Sequence, residues 1–211
     1  MKGQFGSNAR RRQRHRHAVT MATGLVAGLL LVASGLLWLS SPATNRLERE
    51  ASIGGPFRLV SGDGSIVTEA SFPGKYKLIY FGYTTCRDVC PTTLNGVVAA
   101  LDRLGEKAAR VQPLFITIDP ARDTEAVLQR YTSGFSPRLI GLTGAPGELR
   151  KVADAYRVSI VAHREAGDGS GYAFDHSSVL YLMAPGGQFV APIAADATDA
   201  AMALAIARAV P

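Results

Sequence analysis

FGYTTCRDVCPTTL, Phe81–Leu94, contains both cysteines of the 211-residue chain. It continues the apolar run KYKLIYFGY (75–83), which has the composition of a buried strand. It leads through Pro91, a residue suited to the first turn of a helix, into TTLNGVVAALDRLGEK. There Leu94, Val97, Val98, Leu101 and Leu104 recur at helical spacing. Cys86 and Cys90 therefore fall at a strand-to-helix junction, and the rest of the chain is read outward from that point.

Downstream, VQPLFITID (111–119) is predicted as a second central strand and TEAVLQRYTSGF (124–135) as a helix. LIGLT (139–143) follows as a third strand and APGELRKVADAYRV (145–158) as a third helix. HREAGDGSGYAFD (163–175) has the polarity and glycine content of a loop. SVLYLMA (178–184) and QFVAPI (188–193) form a hairpin joined at Pro185-Gly186-Gly187, and DATDAAMALAIARAV (196–210) closes the chain as a helix capped near Asp196. Upstream, PFRLVSGDGSIVTEA (56–70) folds back on itself at Asp63-Gly64. This is the element order of an α/β, thioredoxin-like domain, over residues 54–211, with an N-terminal hairpin and an inserted helical segment.

The formal charge of +6 comes from the first 17 residues, where Lys2, Arg10, Arg11, Arg12, Arg14 and Arg16 stand without an acid. With those set aside, 17 basic residues face 17 acidic ones, and a neutral body excludes a nucleic-acid groove. Residues 18–39 carry no charge over 22 positions. As a helix this run is about 33 Å long, enough to span a bilayer core. The expected topology is a basic cytoplasmic tail (1–17), one transmembrane helix (18–39), a linker (40–53) and a C-terminal domain in the periplasm or an equivalent extracytoplasmic space. Ser41-Pro42-Ala43 offers the alternative of a cleaved leader. Gly24 and Gly28 form a GxxxG pair within the span.

A helix N-terminus favours thiolate over thiol. Two thiolates with three residues between them in a loop suit a soft ion such as Cu(I), and an added imidazole suits Cu(II) as well. The same sulfurs can instead form a reversible Cys86–Cys90 disulfide, in a compartment where disulfides persist. A purely structural bridge across so short a loop would stabilise little. Of the four histidines, His15 and His17 lie in the basic tail, and His163 opens the polar loop. His176, in DHSS at the mouth of the strand SVLYLM, is the one expected beside the cysteines. Thiol oxidoreductases of this fold place a cis-proline there, and this chain has no proline between Pro146 and Pro185. Asp175 is the candidate to orient the His176 ring. Asp119 and Asp123, flanking Pro120, are expected as turn and cap residues. No phosphate loop, Ser-His-Asp set or HExxH motif supports a hydrolase.

YFGYTTCRDVCPTTL, TIDPARDT and DHSSVLYLM together resemble the signatures of the Sco/SenC family, membrane-anchored copper proteins with a thioredoxin fold. The resemblance extends from Gly54 to the C-terminus. It implies one copper, Cu(I) or Cu(II), held by Cys86, Cys90 and His176. It also implies a role in building the dinuclear copper centre of cytochrome c oxidase, with partners in the oxidase subunit bearing that centre, a copper donor and a thiol reductant. Copper delivery by a metallochaperone and thiol–disulfide reduction of the oxidase's copper-site cysteines both remain open. The chain departs from the family at Arg87, where relatives have proline; the acidic residue between the cysteines is kept as Asp88.

Overall fold

A computed structural model describes residues 53–164 and 171–211, together with Leu30 and Ser34. The expected anchor and linker lie outside the described residues apart from those two, which are helical, and Ile53, which belongs to the second unit. Among the described residues no helix is long and apolar enough to cross a membrane. The chain divides into units 1–52 and 53–211, and the second is described below.

The strands are β1 (Arg58–Ser61), β2 (Ile66–Thr68), β3 (Tyr76–Gly82), β4 (Val111–Thr117), β5 (Ile140–Thr143), β6 (Ile160–His163), β7 (Ala173–His176), β8 (Val179–Met183) and β9 (Phe189–Ala194). The helices of this unit are α1 (Val89–Arg103), α2 (Glu125–Ser133), α3 (Pro146–Ala155) and α4 (Asp199–Ala209), and a 3-10 turn, Gly105–Arg110, follows α1. Seven strands form one sheet in the order β2-β1-β5-β4-β3-β8-β9. Its centre, β3-β4-β5, is parallel, and the two hairpins add antiparallel edges.

β4 is buried along its whole length and β3 nearly so, because both faces of the central sheet are covered. Side chains alternate across the sheet. Leu78, Tyr80 and Phe115 pack with Leu94, Val97 and Leu101 of α1, Leu128 of α2 and Ile206 of α4. Ile79, Phe81, Leu114 and Ile116 pack on the opposite face with Leu149 and Val152 of α3. The thioredoxin-like α/β arrangement expected from the element order is the one found.

Local expectations are corrected or sharpened. The loop at 163–175 has paired stems: β6 and β7 form a separate two-stranded ribbon, Ile160 opposite His176 and His163 opposite Ala173. The inserted helix α2 leads, as expected, into a strand, and that strand, β5, widens the sheet. The last helix is capped by Thr198, two residues beyond Asp196, its hydroxyl accepting from the Ala201 amide at 3.2 Å. α3 stops at Ala155, short of the predicted Val158. Arg157 adopts φ 55° and Val158 N–H returns to the Ala153 carbonyl at 2.8 Å, a left-handed helix termination.

Gly82 ends β3 with no space for a side chain. A Cβ there would lie 2.7 Å from Phe115 Cε2 and 2.9 Å from Cys90 Sγ. Gly82→Ala is expected to destabilise the protein by about 1–3 kcal/mol through overpacking, measured by urea unfolding. An unchanged midpoint would show that the strand end relaxes around the added carbon.

Candidate metal centre

The two cysteines differ in exposure because only one faces the core. Cys90 lies in the first turn of α1, packs in the cluster with Tyr80 and Leu94, and is 0% exposed. Cys86 sits in the preceding turn, closed by its own amide on the Tyr83 carbonyl at 3.2 Å, and is partly exposed. The intervening Arg87 and Asp88 are exposed. Neither cysteine is in a disulfide. The Cys90 amide donates to Cys86 Sγ at 3.3 Å, so an otherwise open N–H at the helix start points at sulfur.

His176 ends β7. Its Nε2 lies 3.7 Å from Cys90 Sγ, and its ring meets Tyr80 and Tyr83 edge-on, with centroids at 5.9 and 6.2 Å. Tyr80 O–H approaches the same sulfur at 3.9 Å. The structure thus brings Cys86, Cys90 and His176 together.

The sulfurs share their protons unequally. The Cys90 thiol, donating to Cys86, is the main influence lowering the Cys86 pKa. Burial opposes it, His176 and the backbone amides add to it, and the result is about 4. The Cys90 pKa is pushed up, first by that same bond to Cys86 and then by burial. The arrangement thus favours negative charge on the partly exposed sulfur and the proton on the buried one.

Asp175 is not brought to the ring. Its carboxylate is exposed and lies 3.7 Å from His163 Nδ1, on the outer side of the ribbon. The neighbour of His176 Nδ1 is instead the Ser177 carbonyl, at 3.1 Å. Adjacent residues of a strand point to opposite faces, so a carboxylate next in sequence to His176 is turned away from the sulfurs.

Asp119 and Asp123 do more than shape a turn. Asp123 is 0% exposed and accepts from Thr84 N (3.0 Å), Thr84 Oγ1 (2.6 Å) and Thr117 Oγ1 (2.6 Å). It ties the loop carrying Cys86 to the end of β4. Burial raises its pKa, and the bonds from Thr117 and Thr84 pull the other way. Asp119 pairs with Arg122 and accepts from Tyr172 O–H at 2.9 Å. The sequence signal for both was the pair of carboxylates flanking Pro120 shortly after a mostly apolar strand.

The donor set suits a soft metal. The Sγ–Nε2 separation of 3.7 Å matches two donors each about 2.0–2.3 Å from one ion. Among the described residues no group of three or more Cys, His, Asp or Glu already stands at coordinating spacing. The trio is held by hydrogen bonds between its own donor atoms, which a metal would replace.

The SCO1/SenC family model matches residues 45–211. The mitochondrial SCO1 homolog 1 of Arabidopsis thaliana is 46% identical over 142 residues, 67% of this chain and 42% of that protein. The mitochondrial SCO1 of Saccharomyces cerevisiae is 39% identical over 186 residues, 82% of this chain and 63% of that protein. The chain thus spans less than two thirds of the length of these relatives. The structure of Bradyrhizobium japonicum ScoI with copper bound is similar over 74% of this chain and 99% of that one, at 43% identity and a TM-score of 0.68. With a family model matched over the entire described domain and relatives at this identity, the chain belongs to the SCO1/SenC family.

Proposed function

We propose that this chain binds copper through Cys86, Cys90 and His176 and assists assembly of the dinuclear copper centre of cytochrome c oxidase by delivering the metal. One observation carries this reading: a buried thiol, a partly exposed thiolate and an imidazole converge where α1 begins. Sulfur ligands select Cu(I), and the imidazole extends the set to Cu(II). The bound copper in the 43%-identical Bradyrhizobium structure supports the same metal here. Copper is cargo in this scheme. Cys86, already ionised and accessible, is the first sulfur to meet an incoming ion, and Cys90 must surrender its proton before it can follow. The uncharged span 18–39, with its preceding arginines, supports an anchored protein whose domain lies outside the cytoplasm.

A second reading, thiol–disulfide reduction, is favoured by the unequal cysteines. The Cys86 thiolate would attack one sulfur of a partner disulfide and release the other as a thiolate. Cys90 would then resolve the mixed disulfide. The partner gains two electrons and the single Cys90 proton, its second sulfur leaving as a thiolate that takes a proton from water, and this chain is left as a Cys86–Cys90 disulfide that an external thiol must reduce.

Three measurements test these readings. The reduced protein should retain one copper per chain through dialysis, and Cys86→Ala or Cys90→Ala should abolish retention. His176→Ala should weaken Cu(II) far more than Cu(I), and His163→Ala should change neither. Nitrogen coordination that persists in His176→Ala would overturn the ligand set. Copper-free protein that reduces a disulfide peptide as fast as the loaded form transfers metal would favour the second reading.

The proton count makes a separate prediction. From about pH 4 up to the ordinary thiol value of about 8.5, the folded protein lacks the Cys86 proton that the unfolded chain keeps, so stability rises with pH. As pH falls through about 4 that contribution is lost. Above the ordinary value the unfolded chain loses both protons while folded Cys90 keeps one, and the trend reverses. Cys86→Ser should therefore flatten the rise in denaturation midpoint across that window. Copper uptake at neutral pH should release about one proton per chain from the sulfurs, not two, by titration in weak buffer.

For topology, an alkaline phosphatase fused after Pro211 should be active only outside the cytoplasm. A fusion made at normal level but inactive would reverse the orientation.

A further inference from the structure

The ribbon that carries His176 has no strand paired with the main sheet. What fixes it is the inward face of β7 and the residue preceding it. Tyr172, Phe174 and His176 alternate and so share one face. Phe174 exchanges two hydrogen bonds with the Tyr83 hydroxyl, its amide donating at 3.3 Å and its carbonyl accepting at 3.4 Å. Tyr172 meets the strongest contacts. The Arg122 guanidinium stacks on its ring at 3.9 Å, Arg122 Nη1 donates to its carbonyl at 3.0 Å, and its hydroxyl donates to Asp119. Arg122 also pairs with Asp119, which is 2% exposed and rooted by its amide on Thr117 Oγ1 at 2.9 Å.

We propose that Asp119, Arg122 and Tyr172 form a latch that holds the His176 ribbon against the cysteine loop, so that imidazole access to the two sulfurs depends on residues that touch none of the three. The turn 119–123 faces both sides of the site. Through Asp119 and Arg122 it grips the ribbon, and through Asp123 it grips Thr84, two residues before Cys86. One rigid turn at the end of β4 thereby sets the distance between the histidine and the thiols. Released, the ribbon carries the imidazole away while Cys86 and Cys90 stay in place, leaving a two-sulfur site suited to Cu(I). Latched, it completes the site for Cu(II). These three are positioning residues, and the inference rests on the reading of His176 as a copper ligand.

The test uses the full chain in detergent, reduced, as wild type, Arg122→Gln, Tyr172→Phe and the outer-face control His163→Ala. Tyr172→Phe removes a single hydroxyl from a partly exposed ring, and so keeps the comparison valid if Arg122→Gln folds poorly. Two readouts are taken. One is hydrogen exchange, by mass spectrometry, of the metal-free segment 172–178. The other is electron paramagnetic resonance of the Cu(II) form, with Cu(I) affinity from competition against a chelator. Both latch variants should exchange this segment faster than wild type. They should lose nitrogen coupling in a large fraction of molecules and bind Cu(II) about 10-fold more weakly or worse, with Cu(I) affinity nearly unchanged. His163→Ala should match wild type throughout. Unchanged exchange and unchanged nitrogen coupling in both variants would overturn the latch, as would faster exchange with full nitrogen coupling. Equal losses of Cu(I) and Cu(II) would also overturn it, by indicating general damage. Wild type lacking a nitrogen signal dependent on His176 would instead sink the ligand reading, and the latch with it.

Discussion

The buried sulfur of Cys90 is the fixed point around which the site is arranged. It is sealed between the end of β3 and the first turn of α1, close enough to Gly82 that no side chain fits there. A thiol in such a place can neither move freely nor ionise cheaply, because burial disfavours the charged form. Its proton is instead used to stabilise a negative charge on Cys86, one helical turn away and partly exposed. The parallel pairing of β3 with β4 brings Gly82 level with Thr117. The loops leaving both strands therefore meet at one level, which is where ligands gather in open α/β sheets.

From that fixed point the two other donors are positioned differently. Cys86 is held by local turns and by the buried carboxylate of Asp123 acting through Thr84. His176 arrives on a ribbon joined to the domain mainly by aromatic edges, one tyrosine hydroxyl and the Asp119–Arg122–Tyr172 contacts. The sulfurs are thus part of the core, and the imidazole is attached to it through polar side chains. Cargo binding and release place opposite demands on a site. A rigid sulfur pair with a separately mounted third donor can satisfy both, since affinity can change without disturbing the packed core.

The strand–helix alternation was legible because it is local. KYKLIYFGY and VQPLFITID are long apolar runs bounded by turn residues, and both became fully paired central strands. The cysteine junction was legible for the same reason, with Pro91 marking the helix start. The ribbon was missed because β6 and β7 are four residues each, and three of the four in β6 are exposed. In HREAGDGSGYAFD only Tyr172 and Phe174 alternate as large apolar residues, too short a pattern to mark a strand. The placement of β7 comes from contacts with Tyr83, Asp119 and Arg122, which are 50 or more residues away in the chain.

Sequence by itself determined that two cysteines lie at a helix N-terminus and that His176 is the histidine expected beside them, because strand order and chain polarity carry those facts. Tertiary structure alone decided which thiol is shifted up and which down, since that depends on the contact between the two sulfurs and on the deeper burial of Cys90. It also decided the fates of the acids. Asp175, next to the histidine in sequence, is turned outward by the pleat of its strand. Asp119 and Asp123, distant in sequence and readable as turn residues, are drawn inward to fasten the two halves of the site. Neighbourhood along a chain predicts contact only within an element; across elements, the packing of side chains determines which groups meet.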